Sequence, residues 1–143
     1  MKKEVIIAIA GLQFEIAEDE ALEVIAPGEY YYRNGKHYVL YEELFEEETG
    51  MEGGITKNTL KFWDTGMELR KSGVQNAVMT FEVGKKTMTC YQMPAGQLMI
   101  GIDTTSVRVR EFSEGMVVDV RYNLDLNYSF VSECWIKIKI IER

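Results

Sequence analysis

From Val118 to Phe130 every even position is apolar or aromatic and every odd position is polar. Val118, Val120, Tyr122, Leu124, Leu126, Tyr128 and Phe130 alternate with Asp119, Arg121, Asn123, Asp125, Asn127 and Ser129. Period two is the mark of a strand with one buried face. A strand of that length would extend about 43 Å, more than the roughly 37 Å width of a compact domain of this size. The strand is therefore expected to coil, as strands do around a barrel.

The same alternation recurs along the chain. Val5 to Phe14 reads as a first strand, and the acidic Glu18-Asp19-Glu20 separates it from Leu22 to Ile25, by a hairpin or by a short helix through Ala17 to Leu22. Pro27-Gly28 is expected to bend the chain. Asn34-Gly35 follows Tyr30 to Arg33 and predicts a type I′ hairpin, because both central residues of that turn need positive φ. Lys36 to Tyr41 then pairs back, and Glu42 to Gly54 reads as a long acidic loop crossing an opening. Strands follow at Thr56 to Trp63, Met67 to Lys71, Ala77 to Val83, Thr87 to Met93 and Leu98 to Glu111, with turns at Asp64-Thr65-Gly66, Ser72-Gly73, Gly84-Lys85-Lys86 and Pro94-Ala95-Gly96.

A turn at Ser113-Glu114 would set Val109 against Val118 and Val107 against Val120 inside, with Arg108 opposite Asp119 outside, a favourable cross-strand pair. Further back the apolar set switches to Leu98, Ile100 and Ile102. One extra residue near Asp103-Thr104-Thr105 restores the match, setting Ile102 against Leu124 and Ile100 against Leu126, so a β-bulge is expected there. The last strand turns Ile136, Ile138 and Ile140 inward and Lys137 and Lys139 outward. The sum is one all-β domain over residues 1–143, an antiparallel meander closing into a barrel of about eight to ten strands.

Composition narrows the function without choosing it. Of the net charge of −7, residues 1–54 carry four Lys or Arg against thirteen Asp or Glu, while residues 55–143 carry twelve against ten. An acidic chain without a basic stripe repels phosphate, which argues against nucleic acid as a direct partner. The apolar runs fall short of the roughly 18 residues that a membrane-spanning helix needs. The start, with Glu4 inside its apolar run, reads as a strand rather than a leader peptide. Cys90 and Cys134 read as free, buried thiols.

The single histidine, His37, lies beside the Asn-Gly turn and reads as an exposed strand residue. It leaves no multi-histidine metal site and no second histidine for a triad. No catalytic residue, cofactor or metal ligand stands out, and the chain reads as a binding protein before an enzyme. The expected interior is rich in adaptable side chains, Met79, Phe81, Tyr91, Met93, Tyr122, Leu124, Tyr128 and Phe130, which either fill the barrel or line a pocket for a small, partly apolar molecule. Tyr91 and Tyr122 are the lining candidates. Arg70, near the end of a short strand, is the candidate to hold a carboxylate at the barrel mouth. The alternatives are a filled barrel that docks a protein through the acidic loop around Leu44-Phe45, and a hydrolase of small acidic or sugar substrates. The chain is expected to be a monomer or a homodimer without a membrane partner.

One ordered string of motifs adds to this. Tyr41-Glu42-Glu43, Thr49-Gly50, Gly53-Gly54 and Thr56 are followed by Leu69-Arg70-Lys71-Ser72-Gly73 and by Met79-Thr80-Phe81-Glu82 with Gly84-Lys85-Lys86. Tyr91 with Pro94 and Gly96, and Tyr122-Asn123-Leu124, complete it. Together they resemble the YwiB-like family, small bacterial proteins of uncharacterised function, from roughly Tyr30 to the C-terminus. The resemblance implies a calycin-type, lipocalin-like barrel and a cytoplasmic protein, and it supplies no catalytic residues.

Overall fold

A computed structural model describes residues 3–11, 23–45, 54–74, 76–93 and 96–143, apart from the side chains of Glu23, Phe45, Tyr91, Gln92 and Met93. Its ten strands are β1 (Lys3–Ala10), β2 (Glu23–Arg33), β3 (Lys36–Phe45), β4 (Gly54–Trp63), β5 (Gly66–Gly73), β6 (Ala77–Glu82), β7 (Lys86–Met93), β8 (Gly96–Phe112), β9 (Gly115–Leu126) and β10 (Ser129–Glu142). All pair antiparallel in one sheet, in the order β6-β5-β4-β3-β2-β1-β10-β9-β8-β7. Apart from β1 on β10, every pairing joins strands consecutive in sequence. The edges of the sheet are thus β6 and β7, which one hairpin connects.

That hairpin nearly closes the barrel. No sheet ladder joins β6 to β7, but the Thr87 hydroxyl donates to the Thr80 carbonyl at 2.7 Å. The Gly84 amide donates to the Thr104 carbonyl at 3.1 Å. Partnering these groups blunts the exposed edges that would otherwise template association.

The register follows the sequence pattern closely. Val109 faces Val118, Val107 faces Val120 and Arg108 faces Asp119; after a shift between Thr104 and Ser106, Ile102 faces Leu124 and Ile100 faces Leu126. The bulge therefore carries Thr105 as the extra residue, and its hydroxyl donates to the Arg121 carbonyl. Asn34 and Gly35 have φ of 52° and 77°, as a type I′ turn requires. Ile136, Ile138 and Ile140 are buried. Fully buried Leu60, Phe62, Met67, Leu69, Met79 and Phe81 extend the same core across β4, β5 and β6.

Several expectations change. The alternation from Val118 to Phe130 is not one strand: β9 ends at Leu126, and Asn127 and Tyr128 form a tight turn with φ of 50° and 71°. A two-residue turn preserves the parity of the pattern, which is why it was hidden. Tyr128 is 77% exposed, and Phe130 also faces solvent. The register shift between Phe130 and Ser132 puts Phe130 on the opposite face from Ser132. Pro27 and Gly28 do not break the chain; β2 runs through both, opposite Ile6 and Val5. Extended backbone accommodates the φ of proline, which costs the strand one donor only. Glu42 to Phe45 extend β3 opposite Lys57 to Gly54, so only residues 46–53 remain of the expected acidic loop, and these lie outside the described residues. The hairpin or helix expected around Glu18-Asp19-Glu20 lies outside them as well.

His37 is half-buried rather than exposed, stacked on Phe62 with ring centroids 4.7 Å apart. Neither cysteine is fully buried, and both are free thiols. Cys134 packs against the core, but Cys90 pairs with Met99, out of phase with inward Ile100.

Candidate functional site

Three successive inward rows across β3, β4 and β5 change character towards the end where β3 passes into β4. The first is Val39, Leu60 and Leu69, wholly apolar and buried. The second is Tyr41, Asn58 and Lys71, and the third is Glu43, Thr56 and Gly73. Strand parity alone dictates this arrangement: Met67, Leu69 and Lys71 share one face, so a lysine is carried into the barrel by the hydrophobic residues before it.

Lys71 has only 5% of its side chain exposed. Its ammonium Nζ donates to Glu43 Oε1 at 2.7 Å and to Asn58 Oδ1 at 3.1 Å. The Asn58 amide in turn donates to the Thr56 carbonyl at 3.3 Å. A lysine buried this deeply requires such partners, because an isolated ammonium in a low dielectric costs several kcal/mol. Gly73 ends the row with φ of +139°. A Cβ there would run into the Ile55 carbonyl. Asn76 then clasps Gly73, accepting from its amide at 3.2 Å and donating to its carbonyl at 2.9 Å.

A second inward row crosses β8, β9 and β10 at Thr104, Tyr122 and Cys134. The hydroxyls of Thr104 and Tyr122 are buried and lack a conventional hydrogen-bond partner among the described residues. Burial, followed by the neighbouring Cys134, holds the Tyr122 hydroxyl well above the usual phenol range. Its ring meets Phe81 edge-on with centroids 5.1 Å apart. Side chains thus span the barrel interior here, and the polar rows lie nearer its end.

The opposite end, where β2 turns into β3, is closed by aromatic rings. The Tyr30 hydroxyl and His37 Nδ1 are 2.7 Å apart. Burial, with Glu111 second, raises the Tyr30 pKa, and burial lowers that of His37. A cleft of about 200 Å3 beside them is bounded by Lys3, Tyr30, Glu111, Met116 and Glu142.

Of the three residues expected to line a pocket, only Tyr122 is found facing inward. Arg70 points away from the interior, because its neighbours Leu69 and Lys71 take the inward face. Arg70 is exposed, with Nη2 3.8 Å from Glu68 Oε1. The cation that this strand turns inward is Lys71, one position on. Tyr91 lies on β7 opposite Leu98, with its side chain outside the described residues. Lys71 was legible from parity as the last residue of the strand expected from Met67, whereas the turn expected at Ser72-Gly73 is a continuation of β5 opposite Lys57 and Thr56.

The outer wall holds a second polar feature. Arg108, Asp119 and Lys137 stand in one row across β8, β9 and β10, with Ser106, Arg121 and Trp135 on one side and Arg110, Val117 and Lys139 on the other. A basic stripe therefore does exist. It is assembled from three strands, and so no single stretch of sequence displays it.

The family model for a domain of unknown function, DUF1934, matches residues 7–138. The chain belongs to the DUF1934 family. The match begins earlier than the motif string, which started near Tyr30, and takes in β1. The family's fold is also seen in the crystal structure of the ywiB protein from Bacillus subtilis, which is 20% identical, covers 99% of this chain and 93% of its own, and has a TM-score of 0.77. At that identity the likeness speaks for the fold, a nearly closed barrel of antiparallel strands. No curated protein matches the chain. Among the described residues no helix is long and apolar enough to cross a membrane.

Proposed function

We propose that this chain is a non-enzymatic, calycin-type binding barrel of the cytoplasm. It takes a small, partly apolar molecule at the polar end of its interior. The observation that carries this reading is the passage from the row Val39, Leu60 and Leu69 to the row Tyr41, Asn58 and Lys71. It sets an apolar floor beneath convergent polar groups, the usual make-up of a small-molecule site. An ammonium has three N–H donors. Among the described residues Glu43 and Asn58 take two of them, which leaves one for an acceptor on the ligand, a carboxylate or a carbonyl.

The test is native mass spectrometry of gently purified protein, followed by denaturing extraction. The expected result is a stoichiometric small molecule in the wild type that is missing from Lys71→Met/Glu43→Leu, a pair of changes that removes both charges together. A clean apo mass in the wild type, or a molecule retained by the double variant, overturns the reading.

A second reading rests on Leu44, which is 81% exposed opposite the exposed Ile55. An apolar pair on the outer wall suits a protein partner better than water. A pull-down whose partner is lost with Leu44→Ser supports this reading, and an unchanged set of partners overturns it.

A further inference from the structure

We propose that the outer face of β8, β9 and β10 binds single-stranded nucleic acid. This surface lies outside the barrel, so the proposal stands or falls independently of an interior ligand.

The face gathers Arg108, Arg110, Arg121, Lys137 and Lys139 in the paired rows described above. Within these three rows the one carboxylate, Asp119, is already engaged, and the adjoining row of the same face, Asp103, Asn123 and Glu133, bounds the stripe with acid beyond Arg121. Asp119 accepts from Arg110 Nη2 at 3.1 Å and from the Trp135 indole Nε1 at 3.0 Å, and it is only 9% exposed. Arg108, Arg121, Lys137 and Lys139 have no carboxylate partner among the described residues. Four uncompensated cations on one face of a chain with a net charge of −7 form a local field of opposite sign. Screening over about 8 to 10 Å uncouples that field from acidic residues beyond the adjoining row.

Spacing and chemistry then favour a nucleic acid strand over an acidic peptide. Arg108 and Arg110, like Lys137 and Lys139, are next neighbours on one face of a strand, about 6.8 Å apart. Two parallel lines of cations at that interval suit the regularly repeated phosphates of an extended strand. Over β8 and β9 a recess of about 370 Å3 is lined by Ser106, Arg108, Arg110, Asp119 and Arg121. Trp135 adds what a peptide carboxylate cannot use. Its ring lies 4.3 Å from the Arg121 guanidinium and 4.7 Å from Lys137 Nζ, and it remains 43% exposed. A cation-flanked aromatic on a barrel wall is a stacking platform for an unpaired base.

The test is fluorescence anisotropy of a labelled oligo-uridine of about 12 nucleotides, within the site sizes of a small β-barrel. With about four phosphates neutralised, the affinity is expected to fall about 50-fold between 50 and 200 mM salt. Arg108→Ala/Arg121→Ala is expected to weaken binding at least tenfold at 50 mM salt, and Trp135→Leu about fivefold, as for the loss of one weak base stack. Lys57→Ala/Lys61→Ala, on the separate outer surface of β4, is expected to bind as the wild type does. All these changes are on the solvent face, and circular dichroism checks that each variant is folded. The proposal is overturned by absence of binding at 50 mM salt or by unchanged binding in Arg108→Ala/Arg121→Ala. Polyglutamate of equal charge competing as well as unlabelled oligo-uridine also overturns it, in favour of an acidic protein partner.

Discussion

Lys71 Nζ lies 2.7 Å from Glu43 Oε1 although 28 residues separate them, and Asn58 on the intervening strand holds the same ammonium at 3.1 Å. The pair places charge in the inward rows next to the wholly apolar row Val39, Leu60 and Leu69. Its partners come from three consecutive strands of a meander, so the pair forms only once the β3-β4-β5 register is correct.

Removing one member of such a pair leaves the other charge buried and alone. Lys71→Met is expected to cost about 3 kcal/mol, and Lys71→Met/Glu43→Leu clearly less. Urea denaturation of both variants and of the wild type makes the comparison. Equal losses in the two would mean that the ion pair does not govern stability at this end.

The core side of β9 gives a sharper contrast. Leu124 is buried in the shared cluster, and Leu124→Ala is expected to cost about 2 to 5 kcal/mol through the cavity it leaves. Its neighbour Asn123 faces the other way, so Asn123→Ala should stay within about 0.5 kcal/mol. Thermal or chemical unfolding checks both.

Tyr128 occupies a left-handed conformation, φ of 71°, that L side chains adopt at a cost. Its ring faces solvent and gives little packing in return. Tyr128→Gly turns Asn127-Tyr128 into Asn-Gly, the pair that a type I′ turn prefers. The expected gain is about 1 kcal/mol, seen as a higher melting temperature. A lower one would show that the Tyr128 ring packs in solution.

Burial lowers the pKa of His37 from its ordinary 6.5, while Glu111 and Asp64 pull weakly the other way. The unfolded chain therefore takes up the proton more readily than the folded one. The stability that His37 contributes is complete above pH 6.5 and is lost as the pH falls through the window just below it. Between about pH 7.5 and about pH 5, the wild type is expected to lose more of its urea midpoint than His37→Phe, which keeps a ring against Phe62 but cannot titrate. Parallel curves would place the His37 pKa at its unfolded value.

The barrel was legible because its strands are amphipathic and long, and a period-two pattern with one buried face fixes both parity and register. The bulge at Thr105 could be read for the same reason, since the apolar set of β8 changes parity and that of β9 does not. Turns with a chemical requirement, such as Asn34-Gly35, were equally plain. The Asn127-Tyr128 turn was not, because a two-residue turn leaves parity intact and a tyrosine gives no signal for positive φ.

Sequence by itself thus determined most of the strands, much of their pairing and the inward face of most of them, all of which follow from local alternation and the cost of exposing hydrocarbon. Which cation enters the barrel, Lys71 rather than Arg70, was set by one residue of parity in a short strand whose end the sequence blurs. The stripe of Arg108, Arg110, Arg121, Lys137 and Lys139 belonged to the tertiary structure alone. Charges 11 to 31 residues apart come onto one face only when β8, β9 and β10 pair, and a net charge summed along the chain cannot register a field that exists on one face of a folded wall.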